Sequence, residues 1–293
     1  MIYTLYTPEI TVTVDSFGAE LKSIRTNSDK QEFLWQYEGT SFWQRQAPVL
    51  FPIVGQLKGD TYSLNGNTYQ MSKHGFARDM EFKCYFQSFE EIKFVLRSDE
   101  ETMKYYPYDF SFHIIYKLEK NKIQVRYIVE NQCEERMFFS VGGHPAFRCP
   151  IAEGETLEDY FLEFETPEHT ARHFLENGLY NNETMPILFN TNRLPLSERL
   201  FQNDAIVLKY INSKAVTLKC DKHGEYVKID FADFPYLGVW KQPEAPFICI
   251  EPWLGLADST YTDGNFAEKE GIQALGAYER MNVCFSIEIG KIE

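Results

Sequence analysis

The chain has 293 residues, 44% of them hydrophobic and 16% aromatic, with 43 acidic against 29 basic side chains and a net charge of −14. That length suits one large β domain or two ordinary ones, and the apolar content can fill a sizeable core. The acidic balance argues against nucleic acid and anionic lipid as partners, since both carry the same sign of charge.

In chain order, the N-terminus Met1-Ile2-Tyr3-Thr4-Leu5-Tyr6 has no basic region and no long apolar run, so no secretory leader is expected. Ile10, Val12 and Val14 alternate with Thr11 and Thr13, which predicts a strand; Phe82, Cys84 and Phe86 repeat the pattern. Ser98-Asp99-Glu100-Glu101 has the form of a capping box and predicts one or two helical turns that stop before Pro107. Phe110, Phe112, Ile114, Tyr116 and Leu118 alternate cleanly. After the turn Glu119-Lys120-Asn121-Lys122, so do Ile123, Val125, Tyr127 and Val129. The two runs predict a hairpin with one apolar face.

Tyr160, Leu162 and Phe164 predict another strand. The polar region 166–204, with Asn177-Gly178 and Asn181-Asn182, reads as a long excursion within the fold rather than a linker between domains. Further strands are expected near 205–210, 215–220, 226–231, 236–240, 246–251 and 282–289. Many alternating strands and hardly any helix predict an all-β protein, a large antiparallel β-sandwich in a single domain over 1–293. A second sheet is required because alternating strands otherwise leave one face wet.

No stretch approaches the roughly 18 apolar residues that span a membrane. The six cysteines stand at long spacings with no C-x-x-C pair, which fits reduced, mostly buried thiols in a cytoplasmic protein.

Three segments draw attention to chemistry. His74 lies in Lys73-His74-Gly75-Phe76-Ala77-Arg78, where Gly75 permits a close backbone approach and Arg78 offers a donor fork. Arg45 sits in a Pro-rich apolar run, either solvated at a strand end or aimed into a pocket. His144 follows Gly142-Gly143 and precedes Pro145, a turn setting that restrains the ring. Glu251 is expected where the apolar strand Phe247-Ile248-Cys249-Ile250 ends. Carboxylates are seldom buried unless paired or used. Two imidazoles and a carboxylate are the parts for proton transfer on a hydroxyl-rich substrate. They are also a possible His2Glu metal set, although such sets normally place two ligands close in sequence.

These segments resemble the aldose 1-epimerase (galactose mutarotase) superfamily, and within it a bacterial branch associated with lactose operons. The resemblance begins at Gly18-Ala19-Glu20-Leu21. It runs through Arg45 to Gly55, the two histidine motifs and Ile250-Glu251-Pro252-Trp253, and ends near Lys269-Glu270-Gly271. It implies a galactose mutarotase-like supersandwich and interconversion of sugar anomers without cofactor or metal.

By position, the resemblance assigns the catalytic acid to His144 and the base to Glu251. It assigns sugar contacts to His74 and Asp204, and a phosphate- or hydroxyl-facing rim to Arg45 and Arg78. Trp240, with Trp43 and Trp253, is a candidate to stack on the sugar. The Gly-Gly-His-Pro setting of His144 departs from the Asn-His-Thr type of the galactose enzymes. The expected partner is therefore a monosaccharide or a sugar phosphate, with a non-catalytic sugar-binding role as the alternative.

Overall fold

The structure, a computed structural model, describes residues 1–37, 39 and 42–291. One hydrogen-bonded path of antiparallel strands dominates it. Toward one end of it lies the hairpin Phe110–Glu119 with Lys122–Asn131, paired from Lys122 opposite Glu119 to Asn131 opposite Phe110. Lys122–Asn131 alternates strictly between buried and partly exposed side chains, as a strand with one wet face must. Arg280–Lys291, Glu225–Asp230 and Ala215–Cys220 extend the sheet on one side, and Glu91–Arg97 and Lys83–Gln87 on the other.

Tyr160–Glu176 joins this layer to the next. Tyr160–Phe164 pair with 216–220, whereas His173 pairs with Val207 of Ile206–Lys209. The path continues through Tyr236–Trp240, Phe247–Leu254, Val141–Gly143 and Val49–Leu50. The apolar faces of both layers enclose one core, with Phe51 stacked on Phe112 at 4.5 Å between centroids.

Two sequence expectations are corrected. The region 166–204, expected as a polar excursion with no strand assigned to it, is largely strand. Tyr160–Glu176 and Leu179–Pro195 are two long strands joined at Asn177-Gly178, and repeated register shifts between them break the simple alternation. The short helix Thr102–Tyr105 exists, but Ser98 does not cap it. Asp99 Oδ1 accepts from the Glu101 and Thr102 N–H groups, and Ser98 instead binds Asp109 and Phe110. No described helix is long and apolar enough to cross a membrane.

Candidate active site

Phe247–Leu254 is buried at every position. One face meets the core and the other meets a cavity, so this strand carries polar groups only where they have partners. Glu251 lies inside it rather than at its end, because pairing continues through Pro252 opposite Leu237 and Trp253 opposite Tyr236. Gly238 stands opposite Glu251, and a Cβ there would come within 2.6 Å of the Trp253 ring. The missing side chain lets the indole lie across the sheet.

The strand opposite is interrupted. Val141 and Gly142 pair with Leu254 and Trp253, and Ala146 resumes pairing at Cys249. His144 occupies the gap, its N–H donating to the Pro48 carbonyl at 3.1 Å, while Ile250 N–H reaches the Pro145 carbonyl at 3.2 Å. This break in the ladder turns the imidazole toward the carboxylate. His144 Nε2 lies 3.3 Å from Glu251 Oε2, with the residues 7% and 1% exposed. Trp253 Nε1 donates to the same oxygen at 3.1 Å.

His74 adopts a left-handed φ of 69°. Its N–H donates to the Gly55 carbonyl, and its Nδ1 accepts the Gly55 N–H at 3.1 Å. An accepting Nδ1 leaves the proton of the neutral ring on Nε2. The following Gly75 is obligatory, since a Cβ there would meet the Phe51 carbonyl oxygen at 2.2 Å. The His74 and His144 rings meet edge to face at 5.5 Å, and Trp43 lies over His144 at 4.8 Å.

These groups line a cavity of about 370 Å3 with Asp204, Arg78, Trp240, Trp253 and Lys73, within the range of about 300–1,000 Å3 usual for small-molecule sites. Burial pushes the Glu251 carboxyl well above the ordinary carboxylate range, against the opposing pull of Lys73 and the Trp253 N–H. Burial also pulls His144 down to about 3, with Lys73, Arg78 and Arg45 adding to the effect. His74 is lowered well below its ordinary value, first by burial and then by His144. The buried His144–Glu251 pair therefore avoids net charge and holds one proton between its two members.

Of the residues singled out from sequence, His74, Arg78, His144, Asp204, Trp240 and Glu251 converge on this cavity. Arg45 does not. Its guanidinium is engaged by Asp79 at 2.6 Å and by the Arg78 carbonyl at 3.3 Å. Arg78 is partly committed too, donating to the Lys73 carbonyl at 2.7 Å, but its buried Nε has no hydrogen-bond partner. The His2Glu set is not assembled. Among the described residues, the ligand atoms that cluster here belong to His144, Cys249 and Glu251, while Nδ1 of His74 is occupied by Gly55.

Three contributions escape sequence reading. Lys73 brings a cation to the cavity wall next to His74. Leu175, Gly178 and Tyr180, at the turn of the long hairpin, close one side of the cavity. Backbone bonds from Tyr180 to Asp258 and from Thr260 to Tyr180 hold that turn in place. Arg172 is 2% exposed and donates to the carbonyls of Leu200, Asn203, Asp204 and Ala205. It thereby fixes the loop in which Asp204 takes a φ of 62° and accepts the Ala205 N–H at 2.7 Å. A buried arginine within a polar stretch leaves no local signal of which carbonyls it will reach.

Known proteins share these features of sequence and fold. Protein LacX of Lactococcus lactis subsp. lactis is 36% identical over 269 residues, covering 88% of this chain and 89% of LacX. A galactose mutarotase related enzyme from Lactobacillus acidophilus matches at a TM-score of 0.94 and 34% identity, over the full length of both chains. A galactose mutarotase-like protein from Lactobacillus casei ATCC 334 matches at 0.93 and 31% identity, covering 99% of this chain and 100% of that one. The aldose 1-epimerase family matches residues 1–270, nearly the whole chain, and the protein belongs to that family.

Proposed function

We infer that the protein interconverts the α and β anomers of an aldose by acid–base ring opening and closure. The observation that carries this reading is the 3.3 Å contact between His144 Nε2 and Glu251 Oε2, buried against a cavity of monosaccharide size.

Ring opening moves two protons. Glu251 as carboxylate takes the proton from the anomeric O1–H, and His144 as imidazolium gives its Nε2 proton to the ring oxygen. The C1–O5 bond breaks as the C1=O1 carbonyl forms. Rotation about C1–C2 presents the other face, and the reverse transfers close the ring. Opening starts from carboxylate and imidazolium, the less favoured of the pair's two forms since burial raises the carboxyl and lowers the imidazole, and ends in carboxylic acid and imidazole. Both states are net neutral. Burial raises the carboxyl and lowers the imidazole, so the same desolvation strengthens the base and the acid together. His74 is poised to donate its Nε2–H to a sugar oxygen, and Asp204 to accept from hydroxyls. Trp43 and Trp240 offer apolar faces to the sugar ring.

Lys73 favours a second reading of the substrate, an aldose bearing an anionic group such as a hexose 6-phosphate. It carries a charge on the cavity wall with no ion-pair partner among the described residues, in a chain whose net charge is −14. Arg78, whose Nε makes no hydrogen bond among the described residues and has Asp79 Oδ2 at 3.7 Å, adds a second cation to the wall.

Polarimetry on freshly dissolved aldoses tests the activity, and calorimetry on the same sugars separates binding from turnover. Binding without rate enhancement would replace the enzyme reading with that of a sugar-binding protein. Comparing free and phosphorylated hexoses across salt concentrations decides the second reading, since a phosphate contact weakens with screening.

A further inference from the structure

A second cluster of titratable groups lies outside the cavity, at the turn between Ala215–Cys220 and Glu225–Asp230. The turn reads Cys220-Asp221-Lys222-His223-Gly224, a Cys-x-x-His spacing in a tight β-hairpin. Glu155, from the segment leading to Tyr160, meets it. Its Oε1 lies 3.6 Å from Cys220 Sγ and its Oε2 lies 3.0 Å from His223 Nε2. The sulfur, nitrogen and carboxylate ligand atoms all fall within 4.8 Å of one another.

The geometry points to a zinc site formed by Cys220, His223 and Glu155. Ligand atoms around tetrahedral zinc, at Zn–S of about 2.3 Å and Zn–N or Zn–O of about 2.0–2.2 Å, stand roughly 3.3–3.6 Å apart. Glu155 Oε1 already stands at such a separation from the sulfur, whereas Oε2, at 3.0 Å from the nitrogen, has to draw back slightly as the ion enters. One thiolate, one imidazole and one carboxylate form a donor set of zinc's borderline character. Cys220 Sγ accepts the Lys222 N–H at 3.2 Å, which favours a thiolate against the burial and the Glu155 charge that hold the thiol up in the empty site. His223 and Glu155 side chains are 15% and 10% exposed, which leaves a path for the ion. The Tyr160 hydroxyl lies 2.5 Å from Glu155 Oε2 and 3.0 Å from His223 Nε2 and bounds the cluster on that side.

Loading involves defined proton movements. The Cys220 thiol releases its proton to solvent. The His223 ring gives up Nε2 to the metal and carries its proton on Nδ1. Nδ1 now accepts the Glu225 N–H at 3.0 Å; on loading that bond is given up, and the new Nδ1 proton turns to Glu225 Oε2, 3.4 Å away. A carboxylate behind a metal-bound histidine orients the ring in this way. The ion would tie the 155–160 segment to the hairpin turn, in the layer opposite the cavity.

Titration of tag-free, chelator-treated full-length protein with zinc chloride tests the assignment. The expected result is about one equivalent bound at micromolar concentration, with a higher Tm because the ion binds only the folded chain. Cobalt(II) should give a near-ultraviolet thiolate-to-cobalt band. Cys220→Ser should abolish the band, and His223→Ala should abolish stoichiometric binding. Glu155→Gln, which leaves both turn residues in place, should weaken binding at least tenfold and covers the case of a poorly folding cysteine variant. Glu251→Gln should bind as the parent does. Failure of the parent protein to bind zinc would overturn the proposal. So would binding that survives in both Cys220→Ser and His223→Ala. Loss of binding in Glu251→Gln would place the ion at His144 and Cys249 instead.

Discussion

Trp253 donates its indole N–H to Oε2 of Glu251 at 3.1 Å, the same oxygen that faces His144. The two residues share one face of one strand, two positions apart, so the carboxylate is oriented by its own backbone neighbour. This contact favours the ionised carboxylate, against the burial that opposes it.

Removing that donor tests its role. Trp253→Phe keeps an aromatic ring and deletes the N–H. The ionised base loses a hydrogen bond worth about 1.5–3 kcal/mol. The anomerisation rate should fall roughly ten- to a hundredfold, and the acidic limb of its pH profile should move upward. An unchanged pH profile would show that the contact does not set the state of Glu251.

The pair itself carries the larger effect. His144→Ala or Glu251→Gln should cost about 10²–10⁴-fold in rate, the usual worth of a positioned acid or base. Circular dichroism should show the β fold retained. Polarimetric rates near those of the parent for either variant would remove that residue from the mechanism.

Burial of Glu251 also has a cost in stability. Its folded pKa is raised above the ordinary 4.5. The stability it contributes is therefore fully present below that value and lost as pH rises through the raised one. Gln cannot ionise, so Glu251→Gln should be near neutral in stability at about pH 4.5 and stabilising at about pH 8. His144, lowered to about 3, is common to both proteins and contributes above its ordinary 6.5, with loss as pH falls toward 3. Thermal unfolding of both proteins at the two pH values checks this; an equal difference in Tm at each would contradict it.

Arg172 is the arch of the Asp204 loop. Arg172→Met leaves four carbonyls, that of Ala205 buried and the others partly so, without their donor, at about 1–3 kcal/mol for each that finds no water. Urea unfolding should show a loss of at least that size. KM should rise more than kcat falls, because the loop presents Asp204 and not the acid–base pair. A selective loss of kcat would contradict that division.

Gly238→Ala probes the packing beneath the site. Its methyl group would lie 2.6 Å from the Trp253 ring, a collision with a rigid indole rather than a mobile chain end. Overpacking of this kind costs about 1–3 kcal/mol. The displaced indole should also lower the rate, as Trp253→Phe does. Full activity in a stable Gly238→Ala protein would mean that Trp253 can shift without consequence.

Much of the scaffold is legible in sequence. The runs 110–118 and 123–129 alternate because each has one face in the core, and their hairpin forms in the register that the turn at Lys120-Asn121 implies. The long ribbon from Tyr160 to Pro195 is not legible, because its bulges shift the pairing several times and so break the alternation a strand would show. That obscured the turn that supplies Leu175, Gly178 and Tyr180. Arg45 shows the converse: an arginine in an apolar run is conspicuous, yet Asp79 engages it away from the cavity.

Local sequence by itself determined the all-β character and marked His74, His144 and Glu251 through the glycines, prolines and aromatics around them. Those signals are periodicity and backbone permission, which neighbours along the chain carry. Which side chains meet was decided by tertiary structure: the break at 143–145 opposite Glu251, the guanidinium of Arg172 beneath Asp204, and the diversion of Arg45 to Asp79. Such contacts depend on strand pairing between distant segments and on competition among partners for each charge, and no stretch of sequence contains either.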